Sequence, residues 1–164
     1  MKLIRLKQEP FRKILYLRRL VSLYMQFDST NPIIQLCVRG MEMEAESPDQ
    51  AKNLFAQAWG LATTELEKFT AAHYLARHQD SATQKLEWDL IALHWALQIQ
   101  DGSLNASYPS LYLNIGKGYE DLGALDQAKH HYQLALSYVD HLPAEGYGKM
   151  IKQGIESGLQ RVIP

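Results

Sequence analysis

The 164-residue chain has one cysteine and no long apolar run, and its charges nearly cancel. A lone Cys37 excludes an internal disulfide and suits a reducing compartment, so stability has to come from packing. No stretch approaches the roughly 20 consecutive apolar residues that a membrane-spanning helix needs, and a cytoplasmic location is the simplest expectation. A formal net charge of -1 gives no general reason to expect nucleic-acid binding, which relies on a strongly basic face. Catalytic signatures are missing too. There is no Gly-x-Ser-x-Gly elbow, P-loop, dinucleotide fingerprint or His-Glu-x-x-His pair, and Gly116-Lys117-Gly118 lies inside a helical pattern with no strand before it. The six histidines do not make a metal site. His73 and His78 are five apart, so they diverge by about 140° on a helix, and the adjacent His130 and His131 point to different faces. The expectation is a protein that is not an enzyme, with no metal and no cofactor. His73 reads as a half-buried packing residue, and His130, His131 and His141 as solvent-facing.

What is present is helical periodicity. In SLYLNIGKGYEDLGALDQAKHHYQLALSYVD, Tyr112, Ile115, Gly116 and Tyr119 fall at i, i+3, i+4 and i+7, followed by Gly123, Ala128, Tyr132 and Ala135. Small residues let two helices approach, aromatic residues fill the space between them, and Gly123 ends the first helix where a positive φ is needed. This spacing resembles a tetratricopeptide repeat. The second-helix pattern recurs upstream as FAQAWGLA, LHWALQIQ and YQLALSYV, with Ala58, Ala96 and Ala135 spaced by 38 and 39 residues. The matching first helices are LCVRGMEM, FTAAHYLA and YLNIGKGY. Ala76 and Ala96 lie 20 apart where Tyr119 and Ala135 lie 16 apart, which places four extra residues in the turn HQDSATQK. The remaining excess falls in QDGSLNASYP.

The fold expected is all-α: a right-handed α-α superhelix of three helical hairpins, closed by a C-terminal capping helix. The repeats are placed at about 31–62, 65–100 and 108–141 within a domain spanning 27–164. Asn31-Pro32 and Ser47-Pro48-Asp49 read as helix starts, and Pro109 precedes the fifth helix. The capping helix, about 146–162, carries Met150, Ile151, Ile155, Leu159 and Val162 on one stripe, and its Gly154 and Gly158 imply a close neighbour. Residues 1–26 are different. They form a basic, amphipathic extension with a net charge of +6, so the rest of the chain carries -7. Three readings of this leader stay open: an N-terminal cap, an arm lying on an anionic membrane surface, or a segment ahead of a true start at Met25.

Residues on the inner side of each first helix that are not used for packing would line a groove. By the alignment these are Cys37, Met41 and Glu44, then Thr70, Tyr74, Arg77 and His78, then Leu113, Asn114, Lys117, Glu120 and Asp121. Tyr74, Arg77, His78, Asn114, Lys117 and Asp121 are the candidate ligand-binding set. The tyrosine and the two cations suit a carboxylate or an acidic segment through charge-assisted hydrogen bonds. Only Asn114 and Lys117 resemble the carboxylate clamp of chaperone-binding tetratricopeptide proteins.

Four segments, FDSTNPIIQLCVRGMEME, FTAAHYLARHQD, YPSLYLNIGKGYEDLG and LPAEGYGKMIKQGIESGL, are together similar to a small uncharacterised bacterial tetratricopeptide family. The resemblance covers nearly everything after Met25, and implies a bacterial helical-repeat protein without implying an activity. The function expected is therefore a protein or peptide interaction module. Two other readings are carried beside it: a sensor for a small molecule or peptide, and a homo-oligomeric scaffold built by end-to-end stacking.

Overall fold

The computed structural model describes Asp28 and residues 30–162. The three readings of the leader concern residues outside that range. Among the described residues seven α-helices follow one another: α1 (Pro32–Met43), α2 (Pro48–Leu61), α3 (Glu65–Ala76), α4 (Ala82–Ala96), α5 (Tyr108–Asp121), α6 (Leu125–Ser137) and α7 (Tyr147–Val162). Among the described residues there is no strand, and no helix is long and apolar enough to cross a membrane. The helices pack in neighbouring pairs, α1 with α2, α3 with α4 and α5 with α6. Further contacts link α2 to α3 and α4 to α5, and α7 lies against both α5 and α6.

A repeated exchange of size holds the hairpins together. Phe55 of α2 is fully buried and occupies the space where Gly40 of α1 would carry a side chain. The third hairpin repeats the pairing, since a Cβ on Gly116 would lie 2.7 Å from the ring of Tyr132. That ring also lies against α7, where a Cβ on Gly158 would come within 2.6 Å of it. Close approach thus accounts for Gly158, and Gly154 likewise faces Leu113. The second hairpin departs from this pairing: His73 stands in the glycine position of α3 and Leu93 in the aromatic position of α4. Gly123, at φ 76, makes the tight α5–α6 turn.

Four details differ from the sequence reading. Pro109, expected ahead of the fifth helix, is the second residue of α5, where its missing N–H costs no helical hydrogen bond. The four residues assigned to the turn after α3 belong to α4, which begins 14 residues before Ala96, whereas α6 begins 10 before Ala135. Met150 is 58% exposed and lies off the apolar stripe of α7, which buries Ile151, Ile155 and Val162. His131 is half-buried rather than solvent-facing. Its ring lies 5.1 Å from that of Tyr119, and burial lowers its pKa.

Caps tie the first two hairpins together. The Asn31 side chain accepts hydrogen bonds from the backbone N–H groups of Ile33 and Ile34, at 2.8 and 3.2 Å. Ser47 makes no such bond, so Pro48 and the first-turn Asp49 mark the start of α2. At the start of α3, Thr64 and Glu67 form a capping box. The Glu67 carboxylate accepts from the Asn31 amide at 2.7 Å, from the Thr63 and Thr64 N–H groups at 2.8 and 3.0 Å, and from the Thr63 hydroxyl at 3.2 Å. Burial would raise the pKa of this carboxyl, but the donors outweigh it and hold the group down at about 2, against an ordinary 4.5. A depressed folded pKa means that the contribution to stability is present above pH 4.5 and is lost as pH falls toward 2. Glu67→Gln should therefore be less stable than the wild type at pH 6. The gap should shrink by about 1 to 2 kcal/mol at pH 3, with solvent screening included. Urea midpoints at the two pH values measure it, and a gap that stays constant would remove Glu67 from the acid response.

Candidate functional site

Where α3 ends, α4 begins and the second half of α5 passes, the helices leave a cleft of about 310 Å³. Small residues, Ala76, Ala82 and Gly118, form part of its wall. At Gly118 the helices come close, since a Cβ there would lie 3.1 Å from Leu86 of α4. Three cations, Arg77, Lys85 and Lys117, line the cleft and are exposed. Against them stand Asp121, which pairs with Lys117 one helical turn away, and Asp89.

Asp89 is the unusual member. It sits in the register Leu86, Asp89, Ala92, Ala96, all four of which are buried, and is only 5% exposed. Asn114 gives it a side-chain hydrogen bond, while Oδ1 has no hydrogen-bond partner among the described residues. Burial pushes the carboxyl up to about 7, and the Asn114 bond and the Arg77 charge keep it from rising further. A carboxyl balanced in this way changes charge around neutrality, in a cleft otherwise dominated by cations.

Four of the six candidate residues read from the sequence, Arg77, Asn114, Lys117 and Asp121, line this cleft together. Tyr74 and His78 do not. Tyr74 is 7% exposed, with its ring 5.3 Å from that of Phe55. His78 donates from Nε2 to the carboxylate of Glu44, which caps the C-terminus of α1, at 3.0 Å, and its ring lies 5.2 Å from Phe55. Both belong to the contact between the first two hairpins. Arg77 joins the two regions: its guanidinium lies 4.8 Å above the Tyr74 ring and pairs with Glu44 while it lines the cleft.

Of the wider inner-face set, Cys37 and Thr70 are buried, and Thr70 donates its hydroxyl to the Leu66 carbonyl at 2.6 Å. Glu120 turns away from the cleft toward α6 and α7, accepting from the Tyr132 hydroxyl at 2.5 Å and from Arg161 at 2.7 and 3.0 Å. Lys85 and Asp89 were not found from the sequence, because both lie on a second helix and the groove was read from first helices. One signal was available for Asp89, a carboxylate on the apolar face of α4. His73, as expected, packs against aromatic rings, those of Phe69 and Tyr74. Burial lowers its pKa to about 3, so it stays neutral in the physiological range.

A second cavity, about 600 Å³, opens between α7 and the segment that precedes it. Its lining alternates Asp140, Glu145 and Glu156 with Lys149 and Lys152, and all five are exposed. It offers neither a dominant charge nor a buried polar group to orient a ligand. No group of three or more histidine, cysteine, aspartate or glutamate side chains is placed to hold a metal ion among the described residues. No family model, curated protein or solved structure matches the chain.

Proposed function

We propose that this protein is a non-catalytic interaction module of tetratricopeptide type, a right-handed solenoid working in the cytoplasm, which holds an acidic peptide segment in the cleft between its second and third hairpins. The observation that carries the reading is the convergence of Arg77, Lys85 and Lys117 on one cleft from three successive helices. A carboxylate placed there meets charge-assisted donors from several directions, and these are roughly twice as strong as neutral hydrogen bonds. An extended acidic chain suits such a cleft better than a basic or neutral one, because only Asp121 stands exposed against the three cations. The small wall residues leave room for a backbone to approach.

The test is fluorescence anisotropy with labelled hexaglutamate, hexaglycine and hexalysine peptides. Hexaglutamate is expected to bind saturably, and its affinity to fall as salt is added, because exposed charges are screened over about 8 Å at physiological ionic strength. Equal binding of all three peptides, or none of hexaglutamate, would overturn the reading.

A further inference from the structure

We infer that the cleft takes up its acidic ligand together with a proton, and that Asp89 is the group that holds the proton. This rests on the proposed binding of acidic segments at the same place, and adds how that binding is regulated. The Asp89 carboxyl is enclosed between α4 and its two neighbours. Arg77 faces the cleft from α3, Lys85 from α4 itself, and Asn114, Lys117 and Asp121 from α5. One of its oxygens has no partner among the described residues. A fully ionised carboxylate in that position is poorly solvated, while a proton removes the charge that burial penalises.

An anion entering the cleft changes this balance in one direction. It brings negative charge next to Asp89, displaces water, and occupies Arg77, the cation that favours the ionised form. Each effect favours protonation of Asp89. Protonation acts back on the ligand, since neutral Asp89 no longer offsets Arg77, Lys85 and Lys117. Because burial already places the group at about 7, the exchange falls within the physiological pH range. Binding and proton uptake are then linked, and each strengthens the other.

The experiment is calorimetric titration of the protein with hexaglutamate at pH 6 and pH 8, each in two buffers of different protonation enthalpy. Affinity is expected to be about tenfold weaker at pH 8, with a fraction of a proton taken up per peptide bound near pH 7. Asp89→Asn keeps the side chain's size and fixes it neutral. It should abolish both effects and bind at pH 8 as tightly as the wild type does at pH 6. A pH-independent wild type, or an Asp89→Asn variant with unchanged pH dependence, would overturn the inference while leaving acidic-peptide binding intact. Absence of hexaglutamate binding at both pH values would overturn the underlying reading and the inference with it. A carbon-13 titration of the wild-type carboxyl groups supplies a test that needs no variant. The Asp89 midpoint should move upward when hexaglutamate is saturating, and an unmoved midpoint would count against proton coupling.

Discussion

Replacing Tyr132 with alanine is expected to cost about 3 to 5 kcal/mol, the range for removing a large, fully buried aromatic side chain. The ring is completely enclosed and touches three helices at once. It stands on its own α6, fills the place of a side chain at Gly116 of α5, and does the same at Gly158 of α7. Neither glycine can supply atoms to fill the resulting cavity, so the site can collapse only if whole helices move. The hydroxyl adds a second effect. It donates to Glu120, which also accepts two hydrogen bonds from Arg161, so α5, α6 and α7 share one polar junction. Tyr132→Phe should keep the packing and lose about 1 to 2 kcal/mol. Urea denaturation of the two variants separates the terms. A cost below about 1 kcal/mol for Tyr132→Ala would show that the three helices do not depend on this ring.

The largest effect on binding is expected from the double change Lys85→Glu, Lys117→Glu. Two of the three cations then become anions facing an acidic ligand, and like-charge juxtaposition at an interface costs several kcal/mol, so hexaglutamate affinity should fall by about 100-fold or more. Stability should change by less than about 1 kcal/mol, because both lysines are exposed and the new glutamate beside Asp121 adds only a weak repulsion between residues one turn apart. Arg77 is the wrong residue for this purpose. Its reversal would place a carboxylate beside Glu44 and remove the cation above Tyr74, confounding lost binding with a loosened contact between hairpins. Anisotropy and a melting curve on the same preparation measure both quantities. Undiminished affinity in a well-folded double variant would place the binding surface elsewhere.

Helical periodicity made most of the fold legible in the sequence, since spacing on a helix follows directly from 3.6 residues per turn. Gly123 and Asn31 were readable for a similar reason, because each answers a local backbone need. Contacts between hairpins were harder to read. Tyr74 presents an aromatic ring and Thr70 a hydroxyl at positions that a surface alignment assigns to the groove, yet Phe55 covers the first and a carbonyl of its own helix satisfies the second. His73, standing where the other two first helices carry glycine, packs against Phe69 and Tyr74 of its own helix, a contact that the repeat pattern gave no means of reading. The cleft was half legible. Residues on first helices were named, while Lys85 and Asp89 were missed because α4 turns one side of its first turns toward the neighbouring hairpin.

Cys37 is 1% exposed, and burial raises its thiol pKa to about 12. A thiolate is the species that alkylating reagents attack, so the only cysteine in the chain is silent while α1 stays packed. Its modification becomes a clock for local opening of the first hairpin, read without any added probe. The same silence leaves the surface free for labelling: a cysteine introduced on the rim of the cleft would be the single reactive thiol of the folded protein, and a dye attached there would report on the ligand alone.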